Sequence, residues 1–466
     1  MQKLFDEVAT LDKRCYDQFA LSEDLLMEHA AQGMEKFIRG KFPKKSKILI
    51  VCGSGNNGGD GMALARLLAY DYDVKLFYVK DSKSPMAILQ HKRAQAMGVK
   101  TTFELNSCDV VVDAVLGTGF DGTFSSEVDA VIRTINQLDA YKLACDIPSG
   151  LKVDGQCDKG TFIADATLTM GALKKSMYSD EAKNFLGFVK VLNLGIAREI
   201  YEGDTNWYLL DLEDLRLPHR KKQDTHKGVY GHLAIACGEK SGASIMSALS
   251  ALRFGTGLVT LVGYENAQTL HIPYSIMYSN ELPQNTTALA CGMGLGEEFS
   301  DRELSEFLDN THPLIVDADI FHMPIVTKLL KRKHVVLTPH PKEFISLLKH
   351  SKIADIDVAE LQKNRFKYTE AFCAKYPHVT LLLKGANVII GQADKFYINP
   401  HGTPILAKGG SGDILSGLIG ALLAQGYTPL DAAIHASLAH TKLAHSYTGA
   451  DFSLTPDDLI EGIGNL

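Results

Sequence analysis

Lys408-Gly409-Gly410-Ser411-Gly412-Asp413 places three glycines and a serine directly before one aspartate. Apolar residues follow at three- and four-residue spacing: Ile414, Leu415, Leu418, Ile419, Leu422 and Leu423. That period predicts a buried helix with Asp413 near its first turn. Free backbone N–H groups at such a start attract phosphate, and glycine lets a ligand approach without a Cβ in the way. An aspartate in that place can take a proton from a hydroxyl while the loop holds the phosphoryl group the hydroxyl attacks. The same string also suits an acidic N-cap behind a flexible loop.

A second set of such residues lies in the first half of the chain. Lys47–Cys52 is an unbroken apolar run, expected as a strand buried on both faces. The loop 53–61, GSGNNGGDG, follows, and then a helix is expected over 62–70. Strand, glycine-rich loop and helix form the phosphate-binding arrangement of doubly wound sheets. Asn56, Asn57, Gly58, Gly59 and Asp60 offer amide donors and oxygen ligands together, which suits phosphate plus a cation. A strand expected at 109–116 carries Asp113, an acid that is costly there unless paired, hydrogen-bonded or coordinated. Gly117, Thr118, Gly119, Phe120, Asp121, Gly122 and Thr123 form another glycine-rich exit, and the expected strand 142–145 runs into Asp146-Ile147-Pro148-Ser149-Gly150. In a parallel sheet these three exits lie together, where α/β ligand sites are found. Read blandly, they are acidic, glycine-rich turns.

The chain of 466 residues is long enough for two or three domains. Its formal charge of −7 gives no sign of a nucleic-acid or acidic-membrane partner. No apolar run suggests a signal core or a membrane span. The eight cysteines have no CxxC spacing; Cys52, Cys145, Cys237 and Cys291 read as buried hydrophobes in a reducing compartment, so a cytoplasmic protein is expected. Residues 216–227 are polar and are the best boundary, giving domains 1–210 and 211–466, both α/β. The second alternation runs from His232–Cys237 through a helix expected at 245–254. It continues to GMGLG at 292–296, DAD at 317–319, TPHPKE at 338–343, KGAN at 384–387, a hairpin turning at 391–394, and KGGSGD. His340, between two prolines, is either a ligand-facing donor or a turn histidine. His435, His440 and His445 are spaced by five, share no helical face and are read as non-ligands.

The C-terminal order of motifs resembles the ribokinase-like superfamily and, within it, the NAD(P)H-hydrate dehydratase family. The first half, with NNGGDG, VDAVLGTG and DIPSG, is similar to the NAD(P)H-hydrate epimerase family. Both in this order resemble the bifunctional NAD(P)H-hydrate repair family over nearly the whole chain. The resemblance implies an N-terminal Rossmann-like three-layer sandwich that interconverts the R and S forms of hydrated NADH or NADPH. It implies a ribokinase-like α/β domain that dehydrates the S form while ADP becomes AMP and phosphate, by phosphorylation of the hydrate hydroxyl and then elimination. It further implies potassium in the first domain, magnesium in the second, and a homo-oligomer.

Carried over residue by residue, Asn56 to Asp60 and Gly117 to Thr123 hold the hydrate in the first domain. Asn57, Asp113 and Ser149 match potassium ligands, and Asp146 matches the substrate-contacting acid. Lys384, Gly385, Ala386, Asn387, Val388 and Gly412 match the adenine-nucleotide site. Ser244, Gly294, His340 and Asp413 match the second hydrate site, with Asp413 the base. Five positions depart from the family pattern: Ser244, Met293, Lys342, and the Phe321-His322 pair after DAD. Two other functions share these motifs. One is a small-molecule kinase for a sugar or hydroxymethylpyrimidine. The other is a non-catalytic dinucleotide-binding module, of the kind found in RNA-decapping scaffold proteins.

Overall fold

A computed structural model describes residues 1–263, 271–296 and 301–466. The chain forms two compact α/β units, Gln2–Trp207 and Tyr208–Leu466.

In the first unit a seven-stranded sheet has the spatial order Lys100–Thr101, Asp73–Tyr78, Lys47–Cys52, Val110–Ala114, Tyr141–Cys145, Ala166–Met170, Phe188–Leu192. Every neighbouring pair is parallel. Strand periodicity sorts the core. Ile48, Ile50 and Cys52 pack with Met34, Ile38, Met62 and Leu68 from helices Glu23–Lys41 and Asn56–Leu68 on one face. Leu49 and Val51 pack with Val128, Ile132 and Ile135 of helix Ser126–Gln137 on the other. Chain order reverses between Lys47–Cys52 and Val110–Ala114, and that switch point opens a crevice at the strand carboxyl ends.

Two N-terminal expectations need correction. Residues 1–40 look helical in sequence but are not so throughout, because Gln2–Phe5 is a strand paired in parallel with Leu173–Lys174. The helix expected over 62–70 begins at Asn56, so NNGGDG forms its first turns. Glycine's poor helix propensity argued for loop, but close packing decides. A Cβ on Gly58 would lie 2.1 Å from the Gly53 carbonyl oxygen, and one on Gly53 would lie 1.9 Å from that of Val115.

In the second unit the strands run Met277–Ser279, Leu258–Gly263, His232–Cys237, Ala288–Cys291, Leu314–Val316, Val335–Leu337, Val379–Leu383, Val388–Gln392 and Lys395–Asn399. Pairing is parallel up to Val379–Leu383 and antiparallel for the last two. The expected hairpin is therefore present, turning at Ala393-Asp394. Helix Ser411–Ala424 is buried along almost its whole length, as its apolar spacing requires. It lies tightly against helix Ser241–Arg253, which starts four residues before the expected 245. Ser247 Oγ donates to the Asp413 carbonyl at 2.8 Å, and Ser250 Oγ to that of Ile414 at 3.3 Å.

Gly417 makes that seam possible, since a Cβ there would sit 2.0 Å from Ser250 Oγ and 2.3 Å from the Ser247 carbonyl oxygen. Gly417→Ala should destabilise this unit by about 1–3 kcal/mol through overpacking. Chemical denaturation measures it; a loss below about 0.5 kcal/mol, the size of an ordinary surface substitution, would contradict the close approach.

Candidate functional site

The N-terminal crevice is a cavity of about 680 Å³, a size that suits a cofactor-sized ligand. Ser54 to Asn57, Asp60, Val115 to Gly122 and Asp146 line it, and Asp12, Tyr16 and Met170 help to close it. Thr123 is exposed and is not among the lining residues. Helix Asn56–Leu68 opens at this wall behind Gly55 with no side-chain cap, leaving its first amides for a ligand.

Beside the cavity, side chains from two strand exits meet at a backbone carbonyl of a third. Asn57 Nδ2 donates to the Leu116 oxygen at 3.1 Å, and Ser149 Oγ lies 3.3 Å from it. Asp113 is fully buried. Its carboxylate accepts from Ser149 N–H at 2.7 Å, Ser149 Oγ at 2.6 Å and Val115 N–H at 3.1 Å. Burial raises its pKa to about 6 despite those bonds.

Asp146 holds a left-handed φ of 68°, rare for a residue with a Cβ. Such strain persists only where the surroundings enforce it. Met170 N–H donates to Asp146 Oδ1 at 2.9 Å, and Lys174 Nζ contacts the same oxygen. Lys174 is 1% exposed and also donates to Thr169 Oγ1 at 2.7 Å. No sequence motif pointed to Lys174. Its signal is the cost of burying an ammonium without an anion.

In the second unit Asp413 is the third residue of helix Ser411–Ala424, whose cap position is Gly410. The N-cap alternative is thereby corrected. Among the described residues no donor reaches the Asp413 carboxyl. Desolvation and the Asp317 charge raise its pKa to about 6, against the pull of Lys384. Lys384 Nζ pairs with Asp317 Oδ1 at 2.6 Å, and Ser416 Oγ donates to Asp317 Oδ2 at 2.7 Å. A Cβ on Gly412 would meet Lys384 Nζ at 3.3 Å, so these residues crowd one point. Gly385 and Ala386 are exposed, whereas Asn387 is buried.

His340 caps helix Pro341–His350. Its Nδ1 accepts from the Lys342 and Glu343 amides at 3.1 and 3.2 Å, which puts the proton on Nε2, 3.1 Å from Glu343 Oε1. Its side chain remains 47% exposed, so the capping role leaves a face open. Burial pushes Glu343 up to about 7. Gly294 sits at φ 66°, with its carbonyl accepting the Lys240 amide at 3.0 Å. Ser244 is fully buried and its hydroxyl donates to the Ser241 carbonyl at 2.9 Å. The three C-terminal histidines have separate partners, in keeping with the absence of a shared face. His440, however, places Nε2 3.1 Å from Ser411 Oγ, inside the glycine-rich turn. Burial pushes it down to about 4, so the ring is neutral. Spacing alone could not reveal a single histidine reaching back to another helix.

A family model described as NAD(P)H-hydrate dehydratase matches residues 233–465, and one described as YjeF-related protein N-terminus matches 23–176. The bifunctional NAD(P)H-hydrate repair enzyme Nnr of Helicobacter pylori is 43% identical, over 100% of both chains. The chain belongs to the bifunctional NAD(P)H-hydrate repair enzyme family. The Coxiella burnetii member is 33% identical over 91% of this chain and 90% of its own. A solved ADP/ATP-dependent NAD(P)H-hydrate dehydratase from Bacillus subtilis, co-crystallised with ATP/Mg2+, is 28% identical. It covers 53% of this chain and 92% of that chain, with a TM-score of 0.46. No helix among the described residues is long and apolar enough to cross a membrane.

An Asp413 that acts as the base the resemblance implies must be deprotonated, so turnover there should fall as pH drops through about 6. A pH–rate profile of the second reaction checks this. A flat profile between pH 5 and 8 would exclude Asp413 as the titrating base.

Proposed function

We propose that the two units carry out the two reactions of NAD(P)H-hydrate repair, with the residue roles that follow. The first unit epimerises R and S hydrates; the second dehydrates the S form at the expense of ADP. The observation that carries the second role is Asp413. It is a carboxyl without a protein donor, on the first turn of a helix, beside a lysine and a glycine-rich turn. Asp413 removes the proton from the hydrate hydroxyl as that oxygen attacks the β-phosphorus of ADP and AMP leaves. The ring nitrogen then drives out phosphate, and loss of a ring proton restores the double bond. Lys384, Gly385 to Val388 and the amide of Gly412 hold the nucleotide. His340, through its open face, and the backbone at Gly294 contact the hydrate. Ser244, being buried, acts through its place in the helix rather than its hydroxyl.

Magnesium favours a few carboxylates plus substrate phosphates. Asp319 and Glu343 are the acids whose environment suits it, since the Glu343 charge interacts with Lys384, Asp317 and Asp319, and that of Asp319 also with Asp413. In the first unit Asn56, Asn57, Asp60 and Gly117 to Gly122 cradle the hydrate, with Gly58 and Gly59 buried behind them and Thr123 outside the lining, and Asp146 is the catalytic acid or base. Asn57, Asp113 and Ser149 fit potassium: their donors are hard oxygens with one negative charge. A buried acid gathered with neutral oxygens is the kind of group such a cation would neutralise. Bound there, it supplies fixed positive charge that ties three strand exits together. The free cysteines support a reducing cytoplasm, and a homo-oligomer is tested by light scattering.

Phosphate release from NADH hydrate plus ADP, set against a sugar panel plus ATP, separates repair from kinase chemistry. Release with the sugars alone would overturn the reading. Asp413→Asn should slow dehydration by about 10²–10⁴ while nucleotide binding stays. A single-turnover rate within a few-fold of the parent would contradict the base. Asp113→Ala should abolish epimerisation or make it strongly dependent on added potassium, leaving dehydration nearly intact. Unchanged epimerisation at low potassium would contradict the cation site.

A further inference from the structure

Of the carboxyls that line the N-terminal cavity, the protein treats Asp60 and Asp146 oppositely. Asp146 Oδ1 receives Lys174 Nζ, Met170 N–H at 2.9 Å and Thr169 Oγ1 at 3.3 Å, while among the described residues no donor reaches Oδ2. Asp60 lies on helix Asn56–Leu68 at the same wall. Among the described residues no donor reaches either of its oxygens.

We propose that Asp60 and Asp146 are the acid and the base of epimerisation, and that Lys174 is the positioning residue that decides which is which. This rests on the epimerase reading of the cavity.

Lys174 Nζ has three acceptors: Asp146 Oδ1, Thr169 Oγ1 at 2.7 Å and the Met170 carbonyl at 3.2 Å. They use its three protons, so none is left for a substrate. A buried ammonium requires an anion, and Asp146 is the acid in contact with it. Asp60 has the reverse environment. Burial raises its pKa well above the usual carboxylate range; the charges of Asp146, Asp12 and Glu23 push the same way, and Lys174 opposes them. Asp12 is raised by burial and accepts from Tyr201 OH at 2.8 Å, and burial also raises Tyr16 and Cys145. Environments that drive two acids apart assign a donor and an acceptor. A neutral Asp60 also explains how an acid can sit among amides that hold phosphate.

The step balances without a co-reactant. Asp60 gives its proton to the hydrate oxygen as the C–O bond breaks, and the ring-nitrogen lone pair forms C=N. The water so formed returns to the opposite face and gives a proton to Asp146. One proton has then passed from Asp60 to Asp146. Exchange with solvent, or passage of the other epimer in reverse, returns it.

Asp60→Asn, Lys174→Met and Lys174→Arg are made in the full chain. Interconversion of separated R and S hydrates of NADH is followed by NMR. Asp60→Asn should lower kcat by about 10²–10⁴ with KM little changed. Lys174→Met should lower kcat by about 10²-fold, through a displaced carboxylate. Lys174→Arg, which keeps the charge, should restore part of it. Independently of turnover, the infrared band of protonated carboxyls at pH 7 should lose intensity in Asp60→Asn. That reading stands even where a Lys174 variant fails to fold. A raised KM with kcat retained in Asp60→Asn would make Asp60 a binding group and overturn the proposal. An unchanged infrared band would overturn it as well. A parent chain that leaves the hydrates unexchanged would sink the epimerase reading and the proposal together.

Discussion

A parallel sheet brings all its strand carboxyl ends to one edge, and each unit has buried acids there that demand compensation. Charge taken out of water is expensive unless paired or hydrogen-bonded. Asp113 is met by Ser149 and backbone amides, Asp146 by Lys174, and Asp317 by Lys384 and Ser416. These pairs do little for net stability, because desolvation offsets the attraction. Removing one partner alone is another matter, at about 3–5 kcal/mol for a fully buried pair. The pairs are better understood as holding particular oxygens in place at the mouth of each crevice.

Against that background the carboxyls that no donor reaches stand out. Asp413 and Asp60 sit beside lysine-paired acids and are raised by burial. Each unit thus offers one acid paired with a lysine and one that no donor among the described residues reaches. The same physical device serves two chemistries because the surrounding loops differ. In the first unit they surround a cavity of about 680 Å³. In the second, Lys384 stands beside the start of helix Ser411–Ala424.

Much of this was legible in the chain. The apolar period after Asp413 located a helix that the structure contains, and the unbroken run 47–52 located a strand buried on both faces. Glycine-rich exits on successive strands pointed to the crevice at the switch point. Three things were hidden. Helix Asn56–Leu68 starts within glycines because Gly58 packs on Gly53, a tertiary contact that outweighs propensity. Lys174 lies in a two-residue strand with no motif, and its partner is 28 residues away. His440 works alone across a helix boundary, where a search for shared helical faces finds nothing. All three depend on long-range packing, which local pattern does not encode.

The central claim is that one chain carries both reactions. Its most direct test is to give the full-length protein pure R-hydrate of NADH with ADP and to follow NADH, AMP and phosphate together. The account predicts complete conversion, with one AMP and one phosphate for each NADH formed. Persistence of the R-hydrate, while S-hydrate in a parallel sample is consumed, would contradict it.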